Sequence, residues 1–343
     1  MFFKKVDQLS QLVTSSFSHH YAVHSRVHPL STFSTDRANC FVKRDDELSC
    51  MISGSKLRKY CSLFSFLLDR QLKQVIVIGG AFSNHVLGIS QLLIENKMEG
   101  RYFLKGQKER EKIGNLALSS LFIPAWQIRW FAKKEWPDVE NIAYEQAKQS
   151  KACFVLPEGG AVKEALPGAL TLALDIMENE KKADLIFDHI FIDAGTGFTA
   201  ALLILAFSWL KRTTQIHVIL MAQTPDQFLL KLSSYWQQFI SFIGTASPLP
   251  SPNCYKLYTP ELKNFGQTNH GIFDFIARLC RSEGFLTEPI YSAKLFLQAK
   301  KVIKEDKLKG NVLIIHSGGL MTIGGFTPQL TTALSTLENA SPT

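Results

Sequence analysis

Four strand-like runs of this sequence end in glycine beside groups able to do chemistry: VIVIGGAFSNH (75–85), FVLPEGG (154–160), FIDAGTGFTA (191–200) and LIIHSGG (313–319). Ligands of open α/β sheets bind outside the carboxyl ends of strands, so four converging ends would build one pocket. The third run feeds a Gly-Thr-Gly turn into an apolar helix, which aims free backbone N–H groups at an anion. Thr196 and Thr199 would add hydroxyl donors; the alternative is a tight strand-to-helix turn with no ligand. Gly195, Gly197 and Ala200 also match GxGxxA, a dinucleotide fingerprint that wants an acid about 20 residues on, at the end of the next strand. Here that strand ends LMAQTPD, with its first acid at Asp226, and the helix lies deep in the chain. The dinucleotide reading is therefore the weaker one.

Two further groups stand out. Ser83, Asn84 and His85 gather at a helix start, where simple capping needs only one of them and would leave His85 exposed. In ISGSKLRKYCSLFSFLLDR (52–70), Ser53 and Ser55 are N-cap residues, Gly54 lets the chain turn, and Lys56 falls in the first turn. The helix dipole disfavours a cation there, so Lys56 is either a snorkelling side chain or an amine kept for chemistry. His316 reads as a satisfied core histidine. Cys50 and Cys61 have no base in view, and no His/Asp/Glu spacing suits zinc or another metal.

The elements that must position these groups alternate along the chain. FFKKVDQLSQLV reads as a short amphipathic helix, HPLSTF as a loop and CFVKRDD as a strand ending in acids. QVIVIGG, GRYFLKG, WQIRWFA, ACFVLPEGG, LIFDHIFIDAGTG, QIHVILMA and NVLIIHSGG are strand candidates, separated by helices as far as residue 210. Later helices are expected over 271–283 and 292–305. Strand and helix alternating at this pace predict βαβ units with parallel sheets. With no low-complexity linker, any second domain must be inserted into the first.

The chain has 343 residues, 46% hydrophobic and 20% charged, with 25 phenylalanines, which is the balance of a globular protein with a large core. Its net charge of +8 is scattered or mixed with acids, as in KGQKEREK and KKVIKEDKLK. It forms no nucleic-acid stripe. Six cysteines show no CxxC pair, and no signal peptide is evident, so reduced thiols and a cytoplasmic location are expected. The longest apolar run, FTAALLILAFSWL, is too short for a bilayer.

Taken in order, VKRDDELSCMISGSKLRK, IGGAFSNH, VLPEGG, DAGTGFTA, EPIYSAK and IHSGG are similar to the pyridoxal-phosphate (PLP) enzymes grouped as D-cysteine desulfhydrases and 1-aminocyclopropane-1-carboxylate (ACC) deaminases. The resemblance runs from about residue 28 to about residue 330. It implies an α/β chain of fold type II, tryptophan-synthase-β-like, with two three-layer domains and mainly parallel sheets. The larger, PLP-binding domain would comprise 1–59 and 159–343, with 60–158 inserted as the smaller. Lys56 matches the lysine that forms the Schiff base. Gly195, Thr196, Gly197 and Thr199, with Phe198 among them, match the phosphate loop, and Asn84 the partner of the pyridine 3′-oxygen. Ser83 and His85 match residues that meet the substrate carboxylate or act near it, Tyr291 a tyrosine beside the substrate, and Ser317 the position facing the ring nitrogen. A homodimer acting on a small amino acid is implied.

ACC deaminases carry Glu and Leu where this chain has Ser292 and Ser317, whereas the desulfhydrases carry small hydroxyl residues. The resemblance thus implies β-elimination from D-cysteine or an analogue, giving α-keto acid, ammonia and sulfide. An ACC deaminase, a racemase or dehydratase of the same fold, and a catalytically silent scaffold are the alternatives. Three departures bear on the choice. Ser55 stands where Asn precedes the lysine, His270 where a second active-site tyrosine is usual, and Phe198 where the phosphate loop has glycine. A Cβ at 198 requires negative φ or a shifted loop.

Overall fold

The computed structural model describes residues 2–17, 21–108, 111–262 and 265–338, so part of KGQKEREK lies outside the described residues. Its strands are β1 (Val27–Pro29), β2 (Ala38–Lys43), β3 (Gln74–Gly80), β4 (Glu99–Lys105), β5 (Ile128–Phe131), β6 (Cys153–Leu156), β7 (His189–Ala194), β8 (Gln215–Leu220), β9 (Tyr255–Tyr258) and β10 (Gly310–Ile315). They form a six-stranded sheet, β1-β2-β10-β7-β8-β9, and a four-stranded sheet, β5-β4-β3-β6. Every pairing is parallel except β1 with β2. Parallel strands need crossovers, and helices supply them. The helices are α1 (Phe2–Thr14), α2 (Gly54–Asp69), α3 (Asn84–Glu95), α4 (Gly114–Phe122), α5 (Val139–Ala147), α6 (Leu166–Ala183), α7 (Phe198–Trp209), α8 (Pro225–Ile243), α9 (His270–Glu283), α10 (Ser292–Glu305) and α11 (Thr327–Glu338). None of the described helices is long and apolar enough to cross a membrane.

The alternation expected from the sequence is present, with four additions. HPLSTF begins inside β1, where Pro29 is tolerated because the strand is at the sheet edge. Helix α8 is held by a capping box in which Thr224 accepts from Gln227 N–H and the Gln227 side chain returns to the Thr224 amide. Strand β9 is only four residues long and is defined by pairing with β8, and α11 closes the chain. Helix α7 is apolar on all sides and accordingly buried, packed against α6, α8 and β7.

Helix α2 is anchored by ions. Arg58, with no exposed surface, donates to Asp45 at 2.7 and 2.6 Å and to Asp175 at 2.6 Å, while Lys43 reaches Asp175 at 2.5 Å and Asn179 at 2.6 Å. Two bases meet two acids in a closed network, the condition under which buried charge is tolerated. The network joins α2, β2 and α6 two residues away from Lys56.

Candidate active site

Lys56 stands in the first turn of α2, its amide donating to Ser53 O at 2.9 Å. The turn forms without the expected serine cap. Ser53 lies at φ 64°, and its hydroxyl donates to Ser317 O at 3.2 Å; the Ser55 amide reaches the same oxygen at 3.3 Å. The helix start is therefore tied to the end of β10 instead of capping itself. Gly54 is required for a different reason from the one its sequence suggests, since a Cβ there would fall 1.8 Å from Asp45 O. Burial lowers the Lys56 amine below the usual lysine range, opposed by Asp193 and Glu288.

Strand β7 carries Gly195–Thr199 to its carboxyl end. Gly197 takes the left-handed conformation at φ 87°, and the first intrahelical bond of α7 is Ala201 N–H to Gly197 O at 2.9 Å. The amides of Phe198, Thr199 and Ala200 thus have no acceptor within the helix and are available to an anion. Phe198 meets the condition set by the sequence. The positive φ falls on Gly197, and Phe198 opens the helix with its ring buried edge-on against Tyr235 at 4.9 Å. Two lysines border the loop. Lys231 donates to Thr196 O at 3.4 Å, and Lys59 to Gly159 O at 2.5 Å. Gly159 presses on Thr196, because a Cβ on it would stand 2.6 Å from Thr196 Cγ2. Burial and the neighbouring Lys56 push the Lys59 amine down to about 7.

On α3 the three clustered residues divide their work. Ser83 caps the helix, accepting from the His85 amide at 3.1 Å, which leaves its O–H free to donate. Asn84 is buried, and its Oδ1 accepts from Asn115 Nδ2 at 2.8 Å and Thr322 Oγ1 at 3.1 Å. That orientation commits Nδ2 to donation. His85 is buried, not exposed as simple capping would leave it; its Nδ1 lies 2.6 Å from Tyr60 Oη, and its Nε2 has no partner. Desolvation beside Lys59 and Lys56 lowers His85 well below the usual imidazole value, so the ring is neutral.

Tyr291, at the start of α10, places its ring against the loop: a Cβ on Gly195 would meet Tyr291 Cε1 at 3.2 Å. Glu288 is fully buried and accepts from the amides of Ile290, Tyr291 and Ser292 at 2.7–2.8 Å. Burial nevertheless raises its carboxyl to about 7. The Ser292 hydroxyl is engaged with the same glutamate at 3.2 Å. Ser317 follows His316, which behaves as the satisfied core histidine expected: Nε2 lies 2.7 Å from Leu286 O and Nδ1 accepts from Gly318 N–H at 3.2 Å. His270 opens α9 at an exposed position, and the ring that meets Tyr291 edge-on is Phe265, at 5.7 Å.

Lys56, Ser83–His85, the Gly195–Thr199 loop, Tyr291 and Ser317 are therefore linked through shared neighbours around the ends of β3, β7 and β10. Tyr60, Lys59, Lys231, Asp193 and Glu288 belong to the same cluster and were not singled out from the sequence. Only the second lysine of KLRK, at i+3 from Lys56 on one helix face, carried a local signal. The donor set is that of a site for a phosphate-bearing carbonyl compound: free amides and cations at one end, a depressed lysine amine in the middle and a fixed amide donor beside it.

Comparison with known proteins identifies the family. The chain is 26% identical over 300 residues to the bifunctional D-cysteine desulfhydrase/1-aminocyclopropane-1-carboxylate deaminase, mitochondrial, of Arabidopsis thaliana, covering 82% of this chain and 72% of that one. It is 22% identical over 302 residues to the D-cysteine desulfhydrase of Serratia proteamaculans, covering 84% and 89%. A solved ACC deaminase homologue superposes with a TM-score of 0.81 at 22% identity, covering 95% of this chain and 99% of that one. The model of the family described as pyridoxal-phosphate dependent enzyme matches residues 24–318, and the chain belongs to that family.

Proposed function

We propose that this protein is a PLP-dependent lyase that breaks D-cysteine or a close analogue by β-elimination, releasing α-keto acid, ammonia and sulfide. The observation that carries the reading is the meeting of a desolvated lysine, a one-way amide donor and an anion cradle around one cleft. The residues fit the cofactor. Lys56 would bond its carbonyl carbon, the amides of 198–200 with Thr196 and Thr199 would hold its phosphate, and Asn84 Nδ2 would donate to its 3′-oxygen. When bound, the cofactor supplies an electron sink for charge developing at the substrate α-carbon. Lys56, favoured as the neutral amine by burial, takes and returns the proton at that carbon. The O–H of Ser83 and Nε2–H of His85, whose Nδ1 accepts from Tyr60, are donors suited to a carboxylate. Tyr291 lays its ring against Gly195 of the loop.

An ACC deaminase is the second reading, favoured by the relatives that carry that name, among them the putative 1-aminocyclopropane-1-carboxylate deaminase of Pyrococcus horikoshii, 24% identical over 287 residues and covering 82% of this chain and 85% of that one. The scaffold reading drew on Phe198 and His270; the first no longer favours it, since the positive φ falls on Gly197 and Phe198 opens the helix without strain, its ring against Tyr235. The division into a larger domain of 1–59 and 159–343 and an inserted 60–158 belongs to the same proposal, supported by the four-stranded sheet lying within 74–156. So do the homodimer and the cytoplasmic setting, the latter supported by six unpaired cysteines. Sulfide release and 2-oxoacid formation, measured with D-cysteine, L-cysteine and ACC on the parent and on Lys56→Ala, test the proposal. Turnover of D-cysteine by the parent alone is expected. Turnover of ACC without sulfide release from D-cysteine would replace it with the second reading.

A further inference from the structure

Asp193 is the one acid in the strand FIDA, two residues before the phosphate loop, and the mechanism above does not use it. Strand alternation puts it on the same face as Phe191, which packs with Leu295 and Phe296 of α10, while Ile190, Ile192 and Ala194 enter the opposite core. That face leads to Tyr291 at the start of α10. The register pairs Ile314 of β10 with Phe191, and continuing it two residues brings His316, then Ser317, beside Asp193. The Ser317 hydroxyl and the Lys56 amine both favour the charged form of the carboxyl. Its Oδ1 is buried and has no partner. Leaving such an atom unsatisfied costs about 1–3 kcal/mol, so its retention calls for an occupant.

Glu288, a second buried acid of the cluster, is not free for that purpose, because its two oxygens are taken by three amides and the Ser292 hydroxyl. Ser292 and Ser317 are neutral and could not hold a pyridine nitrogen in its protonated form. Asp193 can.

We propose that Asp193 is a cofactor-binding residue whose Oδ1 pairs with the pyridine nitrogen and keeps it protonated, in place of the acid this chain lacks at 292. The inference rests on the cofactor site assigned above. Burial raises the Asp193 carboxyl, so it holds a proton more readily than an exposed aspartate does, against the pull of Ser317 and Lys56. A ring nitrogen brought against it takes that proton, leaving a carboxylate paired with a pyridinium and no net change of charge. The flanking groups, Lys56, His316, Tyr291 and Glu288, favour the exchange where they are cationic and oppose it where they are acidic. A protonated ring is a strong electron sink, so the chain is not confined to substrates with a good leaving group at the β-carbon.

The test is the 15N chemical shift of the ring nitrogen in the full chain loaded with pyridoxal phosphate labelled at that atom. It is read in the parent, Asp193→Asn and Glu288→Gln, with Asp193→Ala used if the Asn variant does not retain the cofactor. A pyridinium shift in the parent and in Glu288→Gln, moving to the neutral pyridine range in the Asp193 variants, is expected. A bound but neutral ring in the parent, or a pyridinium shift that survives loss of Asp193, would overturn this inference alone. The absence of any bound signal in the parent would overturn the site on which it rests.

Discussion

Replacing Gly159 by alanine tests how the loop 158–160 shapes the anion cradle. Gly159 lies at φ 69°, and a Cβ on it would stand 2.6 Å from Thr196 Cγ2 and 3.2 Å from Oγ1. The backbone strain costs about 1–2 kcal/mol, since alanine in the left-handed region meets its own following carbonyl. The contact is a separate effect. Thr196 is β-branched, so it can relieve a 2.6 Å approach only by changing χ1, which re-aims its hydroxyl. One hydrogen bond to a charged phosphate is then lost, worth about 1.5–3 kcal/mol, and cofactor affinity should fall roughly 10- to 150-fold. Titration with pyridoxal phosphate, followed by the absorption of the bound form, reads the second effect. Denaturant unfolding of the cofactor-free protein reads the first. A variant that loses stability by the stated amount yet binds the cofactor as the parent does would refute the role given to Thr196.

Other perturbations address the rest of the account. Arg58→Met would strand Asp45 and Asp175 without their guanidinium partner, a loss of about 3–5 kcal/mol. With an unfolding entropy of about 2.1 cal/mol/K per residue over 343 residues, the melting temperature should drop by about 4–7 °C, checked by calorimetry. Phe198→Gly, although it restores a glycine to the loop, should destabilise by about 4–6 kcal/mol in urea, because it empties a buried ring site and adds glycine entropy. His217 is buried between His189 (3.1 Å) and Tyr258 (3.0 Å), and its pKa is pushed down to about 3. Its folded pKa lies below the unfolded value of about 6.5, so its neutral form contributes stability in full above pH 6.5. That contribution falls by about 1.4 kcal/mol per pH unit as acid is added toward pH 3. Urea unfolding at pH 6 and 5 should show a loss of stability that is steeper in the parent than in His217→Gln by about this amount, the slope left in the variant coming from other buried groups such as His85.

Much of the site was legible because its residues announce themselves locally. A Gly-Thr-Gly turn between an apolar strand and an apolar helix has few uses, and Lys56 at a helix start stands against the dipole. Phe198 was correctly posed as a question of φ, and the fold answered it by moving the positive angle to Gly197. What escaped the sequence depends on distant partners. Ser53 looked like a cap, but its hydroxyl goes to Ser317, 264 positions away. Asp193 reads as an incidental acid in a strand until β10 is laid beside β7. Glu288 was passed over because its function as acceptor for three amides exists only once α10 turns at Tyr291. Helix α8 was missed although Thr224 and Gln227 spell a capping box, while β9 is too short to show any period.

The central claim, that Lys56 holds the cofactor in this cleft, is tested most directly by the visible absorption spectrum of the purified protein with added pyridoxal phosphate, recorded beside Lys56→Ala. The account predicts the band of lysine-bound cofactor in the parent and its absence from the variant. The same band in both proteins, or in neither, would contradict it.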